Sequence, residues 1–186
     1  ISGTGVTGGA LNASGFYVGG FTEDQLVSIE NAIGSNFGDR LVASNAGSRL
    51  DGRGGNDNIS GQNGADTLNG GLGIDTLNGG AGSDTADYSD RTGGVSVNLL
   101  SGTATTGGAL NGSGVYVGGA VEDSLVSLEN AIGSAFGDRL VASNASGRLE
   151  GLGGADNLSG LNGADTIIGG AGEDALQAFL DAVSDA

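Results

Sequence analysis

The chain has 186 residues, 41 of them glycine, and contains no Pro, Cys, Met, Trp or His. Its 22 acidic residues against 6 basic ones give a formal net charge of −16, which leaves nothing to neutralise phosphates and excludes nucleic acid as a partner. Lack of cysteine excludes disulfides and thiolate metal sites, and no apolar run is long enough to form a membrane-spanning helix.

Shifted by 99 residues, the sequence lies on itself without a gap, and 55 of the 76 positions from Ser2 to Leu77 recur identically. This is a tandem array of one module with a shortened second copy. The chain starts at Ile1 without a signal-peptide pattern and reads as a piece of a longer protein.

Residues 1–33 read as spacer strands and a loop. From Gly34 to Asp87 six nonamers follow without slippage, among them GRGGNDNIS, GQNGADTLN, GGLGIDTLN and GGAGSDTAD. Residues 88–132 form a second spacer, in which Val95, Val97, Leu99, Thr103 and Thr105 alternate like a strand. "ALNGSGVYVGG" (109–119) reads as a surface loop, and "VSLENAIGS" (126–134) as a short strand. Five more nonamers occupy 133–177. In the tail, Leu176, Phe179, Leu180 and Val183 have helical spacing, which predicts a short helix or linker over 178–186.

Position 8 of the nonamer is apolar in all eleven copies, and position 6 is acidic in nine. Positions 7–9 therefore predict a three-residue strand whose middle side chain points inward, and positions 1–6 a glycine-rich turn. Two nonamers make one coil of 18 residues. Stacked coils would pair their strands in parallel and bury a ladder of Leu and Ile, each rung stabilised only by its neighbours. The expected fold is an all-β, parallel β-solenoid of nine-residue half-coils.

Stacking also places the carboxylates of nonamers n and n+2 one above the other, about 4.8 Å apart, where bare charges repel. A hard cation reverses that sign, and carboxylate with backbone carbonyl oxygens suits Ca²⁺. Glycine lets the turn aim its carbonyls toward one point.

The nonamers GGLGIDTLN (70–78) and GGAGSDTAD (79–87) fit the pattern G-G-x-G-x-D-x-U-x. By these motifs the chain resembles the RTX calcium-binding nonapeptide-repeat family. The resemblance implies a right-handed parallel β-roll, with each Ca²⁺ between the turns of nonamers n and n+2. Carried onto this sequence, it pairs Asp57 with Asp75, Asp66 with Asp84, and Asp156 with Asp174. Asp39 with Asp57 and Asp138 with Asp156 form weaker pairs, because Phe37 and Phe136 replace glycine at position 4. For Asp39 and Asp138 a turn aspartate or an Arg partner is the competing reading. Asp165 has Gly147 beneath it and no acid above, which predicts an incomplete site. Asp24 and Asp123 lie in degenerate repeats and rank last, below the plain reading of solvated turn acids.

The expected cofactor is Ca²⁺, about five ions by this pairing. The expected function is a calcium-folded structural repeat module of a secreted or cell-surface bacterial protein, exported through a type I pathway by the same resemblance. It is not an enzyme, since without His, Cys or Lys most nucleophile–base pairs cannot be built. Expected partners are calcium ions, other copies of the chain and cell-surface or matrix components. The alternative is the carrier portion of a secreted protease, lipase or epimerase with its catalytic domain elsewhere. Ice binding through Thr103, Thr105 and Thr106 is a third reading, disfavoured because no regular threonine ladder follows the coils.

Overall fold

A computed structural model of the protein describes residues 10–11, 17–18 and 25–178. All regular structure among them is β: β1 (Ala10–Leu11), β2 (Tyr17–Val18), β3 (Gln25–Ile29), β4 (Asn31–Ile33), β5 (Arg40–Ala43), β6 (Arg49–Asp51), β7 (Asn58–Ser60), β8 (Thr67–Asn69), β9 (Thr76–Asn78), β10 (Thr85–Asp87), β11 (Gly94–Asn98), β12 (Thr103–Leu110), β13 (Tyr116–Val126), β14 (Asn130–Ile132), β15 (Arg139–Val141), β16 (Arg148–Gly153), β17 (Asn157–Gly160), β18 (Thr166–Ala171) and β19 (Ala175–Ala178). The chain divides into two compact units, one running to Asp87 and including Val121–Leu128, the other made of Tyr88–Ala120 and the residues from Glu129 on. β13 begins in the second unit and ends in the first.

In the first unit the coil of 18 residues is visible in the register. One parallel sheet stacks Leu26, Leu41, Ile59, Leu77 and Leu125 by their Cα partners. The facing sheet stacks Ala32, Leu50, Leu68 and Ala86. These are the position-8 residues with their spacer equivalents, and Leu41, Leu50, Ile59, Leu68, Leu77 and Ala86 are fully buried. Complete burial of such a side chain stabilises by roughly 1.5–3 kcal/mol. A three-residue strand could not hold itself without this column, so each rung depends on those above and below it. The parallel β-solenoid, of the β-roll kind, is thus the fold that the position-8 spacing requires.

The second unit repeats the design. Val97, Leu140, Leu158 and Leu176 stack in one sheet, and Ala131, Leu149 and Ile167 in the other. Here β11 also pairs antiparallel with β12, Val97 lying opposite Ala104. The 109–119 stretch is not a loop. It is the end of β12, a turn closed by Asn111 N–H on the Val115 carbonyl (2.9 Å), and the start of β13. Tyr116 fixes this hairpin: its hydroxyl accepts from Gly108 N–H and donates to the Gly94 carbonyl, both at 2.8 Å. The 126–134 stretch contains two elements rather than one strand: β13 ends at Val126, Ser127 turns at φ 50°, and β14 starts at Asn130.

The helix or linker expected over 178–186 falls, apart from Ala178, outside the described residues, but the helical spacing that began at Leu176 does not hold there. Ala175–Ala178 is the strand β19, with Leu176 opposite Leu158. Leu176 satisfies both a helical period and position 8 of the nonamer, and the ladder below it decides for the strand. Residues 179–186 lie outside the described residues.

Candidate metal centre

Side chains alternate faces along a strand, so position 6 shares the inward face of position 8. The aspartate preceding each strand therefore points into the coil. Asp39, Asp57, Asp66, Asp75, Asp84, Asp138 and Asp156 are all buried. Each coil then repeats one hydrogen bond: the N–H of position 6 donates to Oδ1 of the aspartate one coil further on. In one column of the first unit Asp39 donates to Asp57 (2.7 Å) and Asp57 to Asp75 (2.8 Å). In the other, Ser48 donates to Asp66 (2.7 Å) and Asp66 to Asp84 (2.8 Å). In the second unit Val95 donates to Asp138 (2.7 Å), Asp138 to Asp156 (2.9 Å) and Asp156 to Asp174 (3.0 Å).

Oδ1 is thereby used by the fold, and in three of these aspartates Oδ2 is left over. The Oδ2 atoms of Asp57, Asp66 and Asp156 are buried with no hydrogen-bond donor. A buried acceptor without a donor costs about 1–3 kcal/mol, so its recurrence at equivalent positions calls for a positive partner. Beside each stands the position-1 glycine. A Cβ on Gly52 would overlap Asp57 Oδ2 and lie 2.6 Å from the Gly70 carbonyl oxygen. Gly61 stands in the same relation to Asp66 and the Gly79 carbonyl at 2.6 Å, and Gly151 to Asp156 and the Gly169 carbonyl at 2.5 Å. Three times over, a carboxylate oxygen of one coil and a carbonyl oxygen of the next converge beside a glycine. This all-oxygen donor set fits a hard cation such as Ca²⁺.

The electrostatics agree. Burial is the main cause raising the Asp57 carboxyl to about 7, with the charges of Asp75 and Asp39 adding to it. Burial likewise lifts Asp138 and Asp156 to about 6 each, and raises Asp66 and Asp84. These carboxylates resist ionising in the protein alone, and a cation that keeps them charged removes the conflict.

The remaining sequence-predicted acids divide by geometry. Asp39 and Asp138 sit in the column, but their Oδ2 atoms are engaged locally. Ser35 N–H donates to Asp39 at 2.6 Å, and Ser134 N–H to Asp138 at 2.5 Å. Ser134 Oγ adds a bond to Asp138 Oδ1 (2.8 Å). Asp165 is half-buried and accepts from Gly147 N–H (3.0 Å), so its column supplies one carboxylate. Asp174 is half-buried. Asp24 lies outside the described residues. Asp123, ranked last by the sequence, is buried and accepts Asp75 N–H at 3.0 Å, in the place that an aspartate 18 residues further on would take. Its partner is 48 residues away, so no fixed period finds it. Of the position-7 arginines, Arg49 pairs with the buried Asp87 (3.1 Å) and Arg148 with Glu150. Among the described residues no group of three or more His, Cys, Asp or Glu side chains gathers at one point, so backbone oxygens must complete any metal shell.

No curated protein matches the chain. Residues 33–68, 60–89 and 150–177 match the family model of the RTX calcium-binding nonapeptide repeat, described as four copies. These spans contain the three glycine-flanked carboxylates whose Oδ2 lacks a donor, Asp57, Asp66 and Asp156. The chain is a tandem-repeat β-solenoid that carries RTX calcium-binding nonapeptide repeats.

Proposed function

We propose that the chain is a calcium-folded structural module of a secreted or cell-surface protein. The buried, donor-free Oδ2 atoms of Asp57, Asp66 and Asp156, recurring in register, carry this reading. Asp57 with Asp75, Asp66 with Asp84, and Asp156 with Asp174 are the principal ligand pairs, completed by carbonyls such as those of Gly70, Gly79 and Gly169. Asp75 with Asp123 forms a further pair. Asp39 and Asp138 are secondary ligands, since each must first release a serine N–H, and Asp165 is a single-carboxylate position. When bound, calcium supplies positive charge and roughly six to eight coordination positions for oxygen. The protein's part is to hold the carboxylates in line through the Oδ1 ladder and to exclude side-chain bulk with glycine. About five ions would bring about ten positive charges against the formal −16.

In low calcium, so many glycines and acids favour an unfolded chain, and binding energy becomes folding energy. That suits passage through a type I exporter from calcium-poor cytosol into millimolar calcium outside. The near-identical 99-residue duplication supports a spacer or surface-presenting role, because repetition adds length rather than chemistry. Calcium titration by calorimetry with parallel circular dichroism tests the reading. At pH 8 the expected result is several ions per chain and a β spectrum that appears with calcium and disappears with chelator. An unchanged β spectrum in excess chelator overturns it.

A further inference from the structure

The hairpin and the glycine-rich turns of the second unit enclose a cavity of about 750 Å³, a size that holds a small organic ligand. Every residue lining it belongs to that unit. One wall is the end of β12 and the turn that follows it. The other is the turn side of three successive coils, met at Phe136, Ala155 and Glu173. Asn157 Nδ2 donates to the Gly114 carbonyl (3.0 Å) and ties the two walls together. The coil wall is open by its place in the nonamer. Ile74, the equivalent of Glu173, is 63% exposed although the strand of Ser124–Val126 is stacked on its own strand.

Two glycines of the lining have no backbone reason to be glycine. A Cβ on Gly93 or Gly112 would meet nothing within 4 Å, and neither has the left-handed backbone that favours glycine. Gly94 beside them differs, since a Cβ there would overlap the Gly137 carbonyl oxygen. Gly93 and Gly112 therefore keep the cavity clear of side chains. What remains in it is one exposed aromatic ring, Phe136, among groups that both give and take hydrogen bonds. Asn111 spends Oδ1 on the N–H groups of Ser113 and Val115 (3.0 Å each), which leaves Nδ2 to donate. Asn157 spends Nδ2 on Gly114, which leaves Oδ1 to accept, and the exposed Glu173 adds acceptors.

We propose that this cavity binds a short neutral saccharide, with a ring face on Phe136 and hydroxyls bonded to Asn111, Asn157 and Glu173. The lining holds two acids and no arginine, in a chain of net charge −16, which disfavours an anionic ligand. A cation donates only and would leave the Asn111 amide donor unpaired, whereas hydroxyls donate and accept. The site adds recognition to the structural role and stands without it, because none of these groups belongs to the carboxylate ladder.

Titration calorimetry and saturation-transfer NMR test this with oligomers of glucose, galactose, mannose and N-acetylglucosamine, in any medium where circular dichroism shows the β fold. Binding is therefore scored on folded protein whether or not calcium is what folded it. A uronic acid oligomer and spermidine serve as charged controls. The expected result is that a neutral oligomer binds more tightly than either control. Phe136→Ala, at a half-exposed ring, weakens that binding by more than about tenfold. Gly93→Leu fills the cavity from a position with room for a side chain and abolishes binding, and both variants keep the β spectrum. Glu173→Gln keeps an acceptor without the charge and weakens binding by less than about tenfold. Absence of binding by every neutral oligomer, tighter binding of the uronate or spermidine, indifference to Phe136→Ala or Gly93→Leu, or loss of binding in Glu173→Gln overturns the proposal.

Discussion

At the residue scale the decisive feature is a division of labour within one carboxylate. Asp57 Oδ1 accepts the Asp39 N–H and belongs to the fold, whereas Oδ2 is buried without a donor. Asp57→Asn keeps an Oδ1 acceptor and nearly the same shape while removing the charge. In calcium it is expected to lose the ion that Asp57 and Asp75 hold, lowering the stoichiometry by calorimetry. In chelator the same variant is expected to be no less stable than the parent, because it removes a buried charge that burial already disfavours. Gly52→Ala separates sterics from charge. Its methyl meets Asp57 Oδ2 and the Gly70 carbonyl, so it should cost about 1–3 kcal/mol in calcium and weaken the same ion. A Gly52→Ala variant with full stoichiometry and unchanged denaturation midpoint would show that the turn has room to spare.

At the element scale the nonamer was legible wherever its phase is unbroken. Position 8 named the buried columns and position 6 the buried acids, since both follow from side-chain alternation over three residues. Asp123 was undervalued for a definite reason. After β10 the chain leaves the repeat, builds the β11–β12–β13 excursion, and returns at Asp123 to occupy the next rung above Asp75. A local motif cannot report a partner reached after such a detour. The 109–119 stretch failed differently, because its glycines suggested a loop while Tyr116 ties its backbone to Gly94 and Gly108. Leu176 was misleading because it fits two periods at once, and the ladder on Leu158 makes it a strand residue. Asp123→Asn tests the role assigned to the returning strand. Hydrogen exchange at Ser124 and Val126, followed in calcium, should speed up by about tenfold or more, the effect of losing roughly 1.4 kcal/mol of local stability. Exchange in β5 and β7, further down the stack, should change little, as nearest-neighbour stabilisation predicts.

At the scale of the whole molecule the raised carboxyls make the cation-free fold sensitive to acid in an uncommon direction. Paired surface carboxylates usually have lowered values, and acid then destabilises the fold. Here burial raises Asp57 to about 7 and Asp138 and Asp156 to about 6, from the ordinary 3.8. Between those limits the folded form binds more protons than the unfolded form, so stability falls as pH rises. The favourable contribution is complete below 3.8 and is lost as pH climbs through 6 to 7. The formal charge of −16 acts in the same direction, since protonating acids relieves its self-repulsion. In chelator, the β signal should therefore grow as pH is lowered from 8 toward 5. In calcium the dependence reverses, because ligands must be deprotonated to bind, and the calcium midpoint should rise as pH falls. A chelated chain whose β content is flat or increases with pH would mean that these carboxylates are not buried together without a cation. The stacked aspartates would then be assembled only by the ion.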